Sequence, residues 1–100
     1  MTASNPQNLS FYYVYVLFSD RDKKLYIGFS RNVFKRLVQH NEGKTIRTAG
    51  RRPLQLIYYE AHLRKEDALR RESYFKTNSG KRTLQIVLKS TLDQFDYQSR

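Results

Sequence analysis

The chain has 100 residues, no cysteine and only two histidines, and 19 Lys+Arg against 9 Asp+Glu leave a formal charge of +10. This length suggests one domain, and the missing cysteines exclude a disulfide framework and a thiolate zinc site. A charge this positive implies an acidic partner, and the phosphate backbone of a nucleic acid is the usual one. His40 and His62 are too far apart in sequence for a paired-histidine metal motif. No apolar run approaches the roughly 18–20 residues of a membrane span. Residues 1–10 lack the basic-then-apolar order of a signal peptide, so a soluble cytoplasmic protein is the expectation.

Residues 1–10 read as a flexible lead-in, residues 11–90 as the folded domain and residues 91–100 as a fraying tail whose Phe95 and Tyr97 could dock back on the domain. Phe11 to Phe18, FYYVYVLF, is rich in β-branched and aromatic residues and apolar on both faces. That pattern predicts a central strand covered on both sides. Ser19 to Asp22 is a turn cluster. A second strand follows over about 23–29, and a hairpin is the natural reading. With a four-residue loop, Tyr15 opposes Tyr26. Gly28 interrupts this strand, and a glycine there marks a bulge or the close approach of another group.

Asn32 is placed to cap a helix running through Asn41, with Val33, Phe34, Leu37 and Val38 as its inward stripe. Gly43 stops it. The segment 43–53 reads as a basic loop carrying Lys44, Arg47, Arg51 and Arg52, suited to holding phosphates. A third strand over 54–60, a helix over 65–76 with Ala68, Leu69 and Phe75 inward, a break at 77–80, and a helix over 81–89 with Leu84, Val87 and Leu88 inward complete the pattern. The order ββαβαα implies an α+β fold, a three-stranded antiparallel sheet flanked by helices. Tyr58 and Tyr59 read as sheet packing, with stacking on a base as a further option. His62 reads as an ordinary surface residue.

Three features bear on chemistry. Arg36 and His40 are four residues apart, so they stack on one flank of the first helix. An arginine there offers a planar fork of donors for a phosphate, and a histidine can carry a proton near neutrality. On spacing alone, a solvated flank is the simpler reading. Glu72 falls inside the inward arc of its helix, where a carboxylate is costly unless paired or bound to a cation. A structural pair with one of the many arginines and a metal site are equally compatible with that position. Magnesium tolerates a single carboxylate, because it keeps waters and takes substrate phosphate oxygens.

These residues, in this order, resemble the GIY-YIG nuclease family. Tyr13-Val14-Tyr15 stands at its first motif and Tyr26-Ile27-Gly28 at its second, followed by RLVQHN over 36–41 and ALRRE over 68–72. The likeness runs from about Phe11 to Leu88 and is closest to small standalone members, similar to the N-terminal nuclease domain of an excinuclease. Tyr13 replaces the glycine of the first motif and Val14 its isoleucine. The resemblance implies a metal-dependent endonuclease acting on nucleic acid, with DNA the favoured substrate. It implies Tyr15 and Tyr26 beside the attacking water, Arg36 on the scissile phosphate, and His40 as general base or proton relay. Glu72 would be the ligand of Mg²⁺ or Mn²⁺. Gly28 would clear space for the nucleic acid backbone to approach Tyr26. Free tyrosine ionises near pH ~10, so Tyr26 needs assistance as a base, which favours His40. A domain this small could act as a homodimer on two strands. The alternative is a basic module that grips nucleic acid without cutting it.

Overall fold

The computed structural model describes residues 10–97. Most of the expected lead-in and the last three tail residues, 98–100, lie outside that range. Eight elements follow in order: β1 (Tyr12–Ser19), β2 (Leu25–Ser30), α1 (Val33–Asn41), α2 (Ile46–Ala49), β3 (Leu54–His62), α3 (Lys65–Phe75), α4 (Asn78–Val87) and α5 (Lys89–Gln94). The strands form one antiparallel sheet in the order β2-β1-β3. The expected α+β class and three-stranded sheet are therefore present, with two further helices, α2 and α5.

β1 is central, and Val14 through Ser19 are all buried. Alternation sends its side chains to two different cores. Val14 and Val16 meet Ile27 together with Ala68, Phe75, Leu84, Leu88 and Leu92 from the three C-terminal helices. Tyr15 and Leu17 meet Val33 and Leu54, with Tyr26 and Leu37 at the fringe. One face of the sheet thus carries an aliphatic core and the other a tyrosine-rich one under α1.

The hairpin register differs from expectation by two residues. Phe18 pairs with Leu25, Leu17 with Tyr26 and Tyr15 with Gly28. Lys23 adopts φ 63°, and the Lys23 and Ser19 amides donate to the carbonyls of Ser19 and Lys24. The turn absorbs two more residues than a simple loop would. A shift of two keeps every side chain on its face, so Tyr15 and Tyr26 remain neighbours, now diagonal, with ring centroids 6.4 Å apart.

The basic segment 43–53 is structured rather than a plain loop. The Asn41 side chain exchanges two hydrogen bonds, each 2.8 Å, with the backbone of Leu54. Buried Ser19 donates to the Arg51 carbonyl at 2.6 Å. Between these straps the chain forms α2 and reaches β3 through a cis Arg52–Pro53 bond. The stretch 77–80 also differs. Thr77 caps α4 by accepting from the Gly80 amide at 3.0 Å, so this helix starts at Asn78. Gly80 lies against the Tyr74 carbonyl, where a Cβ could not fit. That close approach lets α4 fold back directly on α3. Val87, expected inward, is exposed, as are Phe34, Val38 and Leu69; Leu92 of α5 takes up core volume instead. Phe95 docks on Phe18 at 5.3 Å and Tyr97 packs against the aliphatic core, as the tail pattern suggested.

Candidate active site

Tyr15 is the centre of the site because β1 buries it between three elements. Its ring fills the space where a side chain at Gly28 would stand. The glycine is therefore required by Tyr15, and the room it vacates is occupied. This corrects the expectation that Gly28 opens the surface for a nucleic acid backbone.

α1 brings the next two groups. Asn32 caps it by accepting from the Lys35 amide at 3.0 Å, which fixes the helix so that positions 36 and 40 face the sheet flank. Arg36 is half-buried and its guanidinium donates to Gln39 at 3.1 Å. His40 is wholly buried. Its Nε2 lies 2.9 Å from the Tyr15 hydroxyl and its Nδ1 2.7 Å from Oγ1 of Thr48. In neutral imidazole one nitrogen donates and the other accepts, so the three side chains form one hydrogen-bonded chain. Thr48, on α2, went unnoticed in the sequence because a threonine in a basic segment carries no signal of burial.

Tyr26 packs edge-on against His40 at 5.1 Å and reaches solvent. It lines an open groove of about 400 Å³ with Arg36, Lys44, Thr45, Ile46 and Arg47. Burial pushes the Tyr15 hydroxyl up to about 12. The hydrogen bond and charge of Arg36 act against that rise, while Tyr26 and Glu72 add to it. Tyr15, Tyr26, Arg36 and Glu72 thus share one electrostatic neighbourhood. Burial, followed by the charge of Arg36, lowers the pKa of His40 below its ordinary value, so the imidazole is neutral at pH 7.

Glu72 comes from α3. Its side chain is 19% exposed and its ion pair is with Lys76, at 3.1 Å, whose own side chain is half exposed. The sequence allowed a pair with one of the many arginines; the structure pairs Glu72 with Lys76 instead, and the adjacent Arg71 takes Glu60. Among the described residues no three His, Asp or Glu side chains cluster into a metal cage. A lone carboxylate whose charge reaches Tyr15 fits a hard cation that completes its shell with water and phosphate oxygens.

The four basic-segment residues divide. Lys44 and Arg47 are exposed and line the groove. Arg52 is exposed but donates to the Ala49 carbonyl at 2.7 Å and lies beside Gly43. Arg51 turns away: its guanidinium clasps Asp22 at 2.6 and 3.2 Å and the Leu25 carbonyl at 3.2 Å. It fastens the segment to the hairpin turn, which corrects its expected role on substrate. Ile46, at 95% exposure, projects from the groove rim between Lys44 and Arg47.

The GIY-YIG catalytic domain model matches residues 11–85. The chain belongs to the GIY-YIG family. It is 40% identical over 88 residues to a UPF0213 protein of Bacillus licheniformis, covering 87% of this chain and 90% of that one. Against a UPF0213 protein of Lactiplantibacillus plantarum the identity is 48% over 71 residues, 68% of this chain and 69% of the other. A Clostridium perfringens UPF0213 protein is 34% identical over 87 residues, 86% and 92% of the two chains. No solved structure matches the chain. Membership in this family of catalytic domains makes nuclease chemistry on nucleic acid the family-level activity. Among the described residues, no helix is long and apolar enough to cross a membrane.

Proposed function

We propose that this protein is a metal-dependent endonuclease that hydrolyses phosphodiester bonds in DNA. The observation that carries the reading is the convergence of two tyrosines, an arginine and a buried neutral histidine at one basic groove, with a lightly paired glutamate near enough to act on Tyr15 electrostatically. The groove accepts the backbone, and Lys44 and Arg47 hold the flanking phosphates. Arg36 faces the scissile phosphate and offsets charge that builds on its oxygens. Tyr26, the more accessible phenol, orients the attacking water. Tyr15 holds its proton far above neutrality. Because Tyr15 is only 1% exposed, the water's proton reaches it and His40 by way of Tyr26.

His40 and Tyr15 are both too enclosed to touch the water; His40 takes the proton at the end of this chain, while Thr48 fixes its ring. Glu72 is the residue to hold Mg²⁺ or Mn²⁺. Such a cation supplies a Lewis acid on the phosphate and stabilises the leaving oxygen.

The test is cleavage of labelled single-stranded, duplex, flap and junction DNA and matching RNA, with Mg²⁺, Mn²⁺ or EDTA. Metal-dependent cutting that is lost in Glu72→Ala and Arg36→Ala is expected. Binding without cutting on every substrate would replace this reading with the non-cleaving basic module.

A further inference from the structure

The flank of α1 opposite Arg36 carries a second groove. Phe34 is 64% exposed and Tyr59 46%, although both are large aromatic side chains. They meet edge-on at 6.3 Å, and Tyr13 meets Tyr59 edge-on at 5.8 Å. With Arg31, Asn32 and Val33 they line a depression of about 210 Å³. Small-molecule pockets span roughly 300–1,000 Å³, so this one suits a single planar ring. No acidic residue lines it. Arg31 is exposed, with its guanidinium held 4.7 Å over Tyr12. The first turn of α1, between the two grooves, has no acidic residue and exposes Lys35.

Tyr13 and Tyr15 lie on one face of β1, two residues and so roughly 7 Å apart. Tyr59 is the direct cross-strand partner of Tyr15. The aromatic groove therefore adjoins the candidate active site across a positively charged helix turn. We propose that this groove stacks one unpaired nucleobase of the bound strand, with Arg31 and Lys35 holding phosphates as the strand crosses α1 toward Arg36. Base–aromatic stacking is indifferent to sequence because every base has a π face. A fully paired duplex cannot offer a base to it. The preferred substrate is then a strand with an unpaired nucleotide close to the cut. This inference rests on the nuclease reading and specifies its substrate class.

The experiment measures binding in EDTA, so that nothing is cut. A fluorescein-labelled single-stranded oligonucleotide and its duplex are titrated separately. A single strand carrying 2-aminopurine reports stacking directly. The wild type is expected to bind the single strand more tightly and to quench 2-aminopurine. Phe34→Ala/Tyr59→Ala should weaken single-strand binding about tenfold, abolish the quenching and leave duplex binding within about twofold. Tyr59→Phe, which keeps the ring, should behave as wild type. Phe34→Leu, which keeps apolar volume but loses the ring, should still lose affinity if the double variant proves unstable. Equal losses on both nucleic acids, or no loss on either, would overturn the proposal and leave an apolar peptide as the occupant to consider. A wild type that binds neither nucleic acid would overturn the nuclease reading itself, which is a different result.

Discussion

Two glutamates, Glu60 and Glu72, show how the fold separates a structural carboxylate from an available one. Glu60, on β3, is saturated. Arg71 grips both its oxygens at 3.0 to 3.2 Å, Tyr58 donates at 2.7 Å and His62 lies at 3.1 Å. Partial burial would raise its pKa, but these hydrogen bonds outweigh it and hold the group below its usual range. Arg71 is itself clamped over Phe75 at 4.4 Å. Glu72 is the next residue on the same helix. A turn of about 100° sends it to the other flank, where, among the described residues, its ion pair is with the flexible end of Lys76. A closed network fixes architecture; a carboxylate with one mobile partner can exchange that partner for a cation.

The widest separation between the two is expected on substitution. Glu72→Gln should lower cleavage at least about a thousandfold, the several kcal/mol that a bound Lewis acid supplies. Its effect on unfolding should stay within ~1 kcal/mol, because the Lys76 pair is surface-like. Glu60→Gln should do the reverse. It should cost about 2 kcal/mol, below the figure for a fully buried pair because Arg71 is partly solvated, and should change cleavage only severalfold. Urea melts and single-turnover cleavage on both variants check this. Comparable loss of activity in the two would erase the distinction.

Gly28 extends the comparison to the backbone. Gly28→Ala would drive a Cβ into the Tyr15 ring, an overpacking cost of roughly 1–3 kcal/mol. The ring can yield only by moving its hydroxyl from His40. Cleavage should therefore fall more than stability explains, with binding of uncut DNA preserved. Melting curves, binding isotherms and turnover measured together separate the two losses.

The basic segment splits along the same line. Arg47→Ala should weaken DNA binding at every sequence and reduce the slope of log K against log[salt] by about 0.9 if it meets one duplex phosphate. Arg51→Ala should leave that slope unchanged and instead destabilise the fold by about 1 kcal/mol, the usual scale for a partly solvated ion pair. Its partner Asp22 is held below its usual pKa, the hydrogen bonds from Arg51 and the Lys24 amide outweighing burial. Salt titrations of both variants decide which arginine faces the nucleic acid.

These cases also show what the sequence could carry. β1 was legible because an eight-residue aromatic and β-branched run has few other uses. The site residues were legible as a spaced set, and neither α1 nor α3 alone distinguished them from solvated flanks. What failed was long-range. The hairpin register depended on Lys23 taking a left-handed conformation. Arg51 could not be told from Arg47 without Asp22 beside it. Phe34 looked like core because helical periodicity assigns a stripe without knowing how wide the sheet beneath it is. His62 looked superficial because its partner, Glu60, is set by Arg71.

The smallest expected effect concerns His40, the counterpart of His62 on the other face of the sheet. Burial, and then the charge of Arg36, lowers its pKa from 6.5, whereas an unfolded chain keeps the ordinary value. The unfolded state therefore binds more protons just below pH 6.5, and stability must fall as pH drops through that window. The loss should level off once the folded imidazole also protonates. Glu60 and Asp22 act lower, because their depressed values forfeit stability only as pH falls below 4.5 and 3.8. A denaturation series from about pH 8 to 5 should show this decline. In His40→Gln the curve should be flat over that range, whatever its absolute height. A decline that survives the substitution would move the titration to another group and leave His40 as a packing residue behind Tyr15.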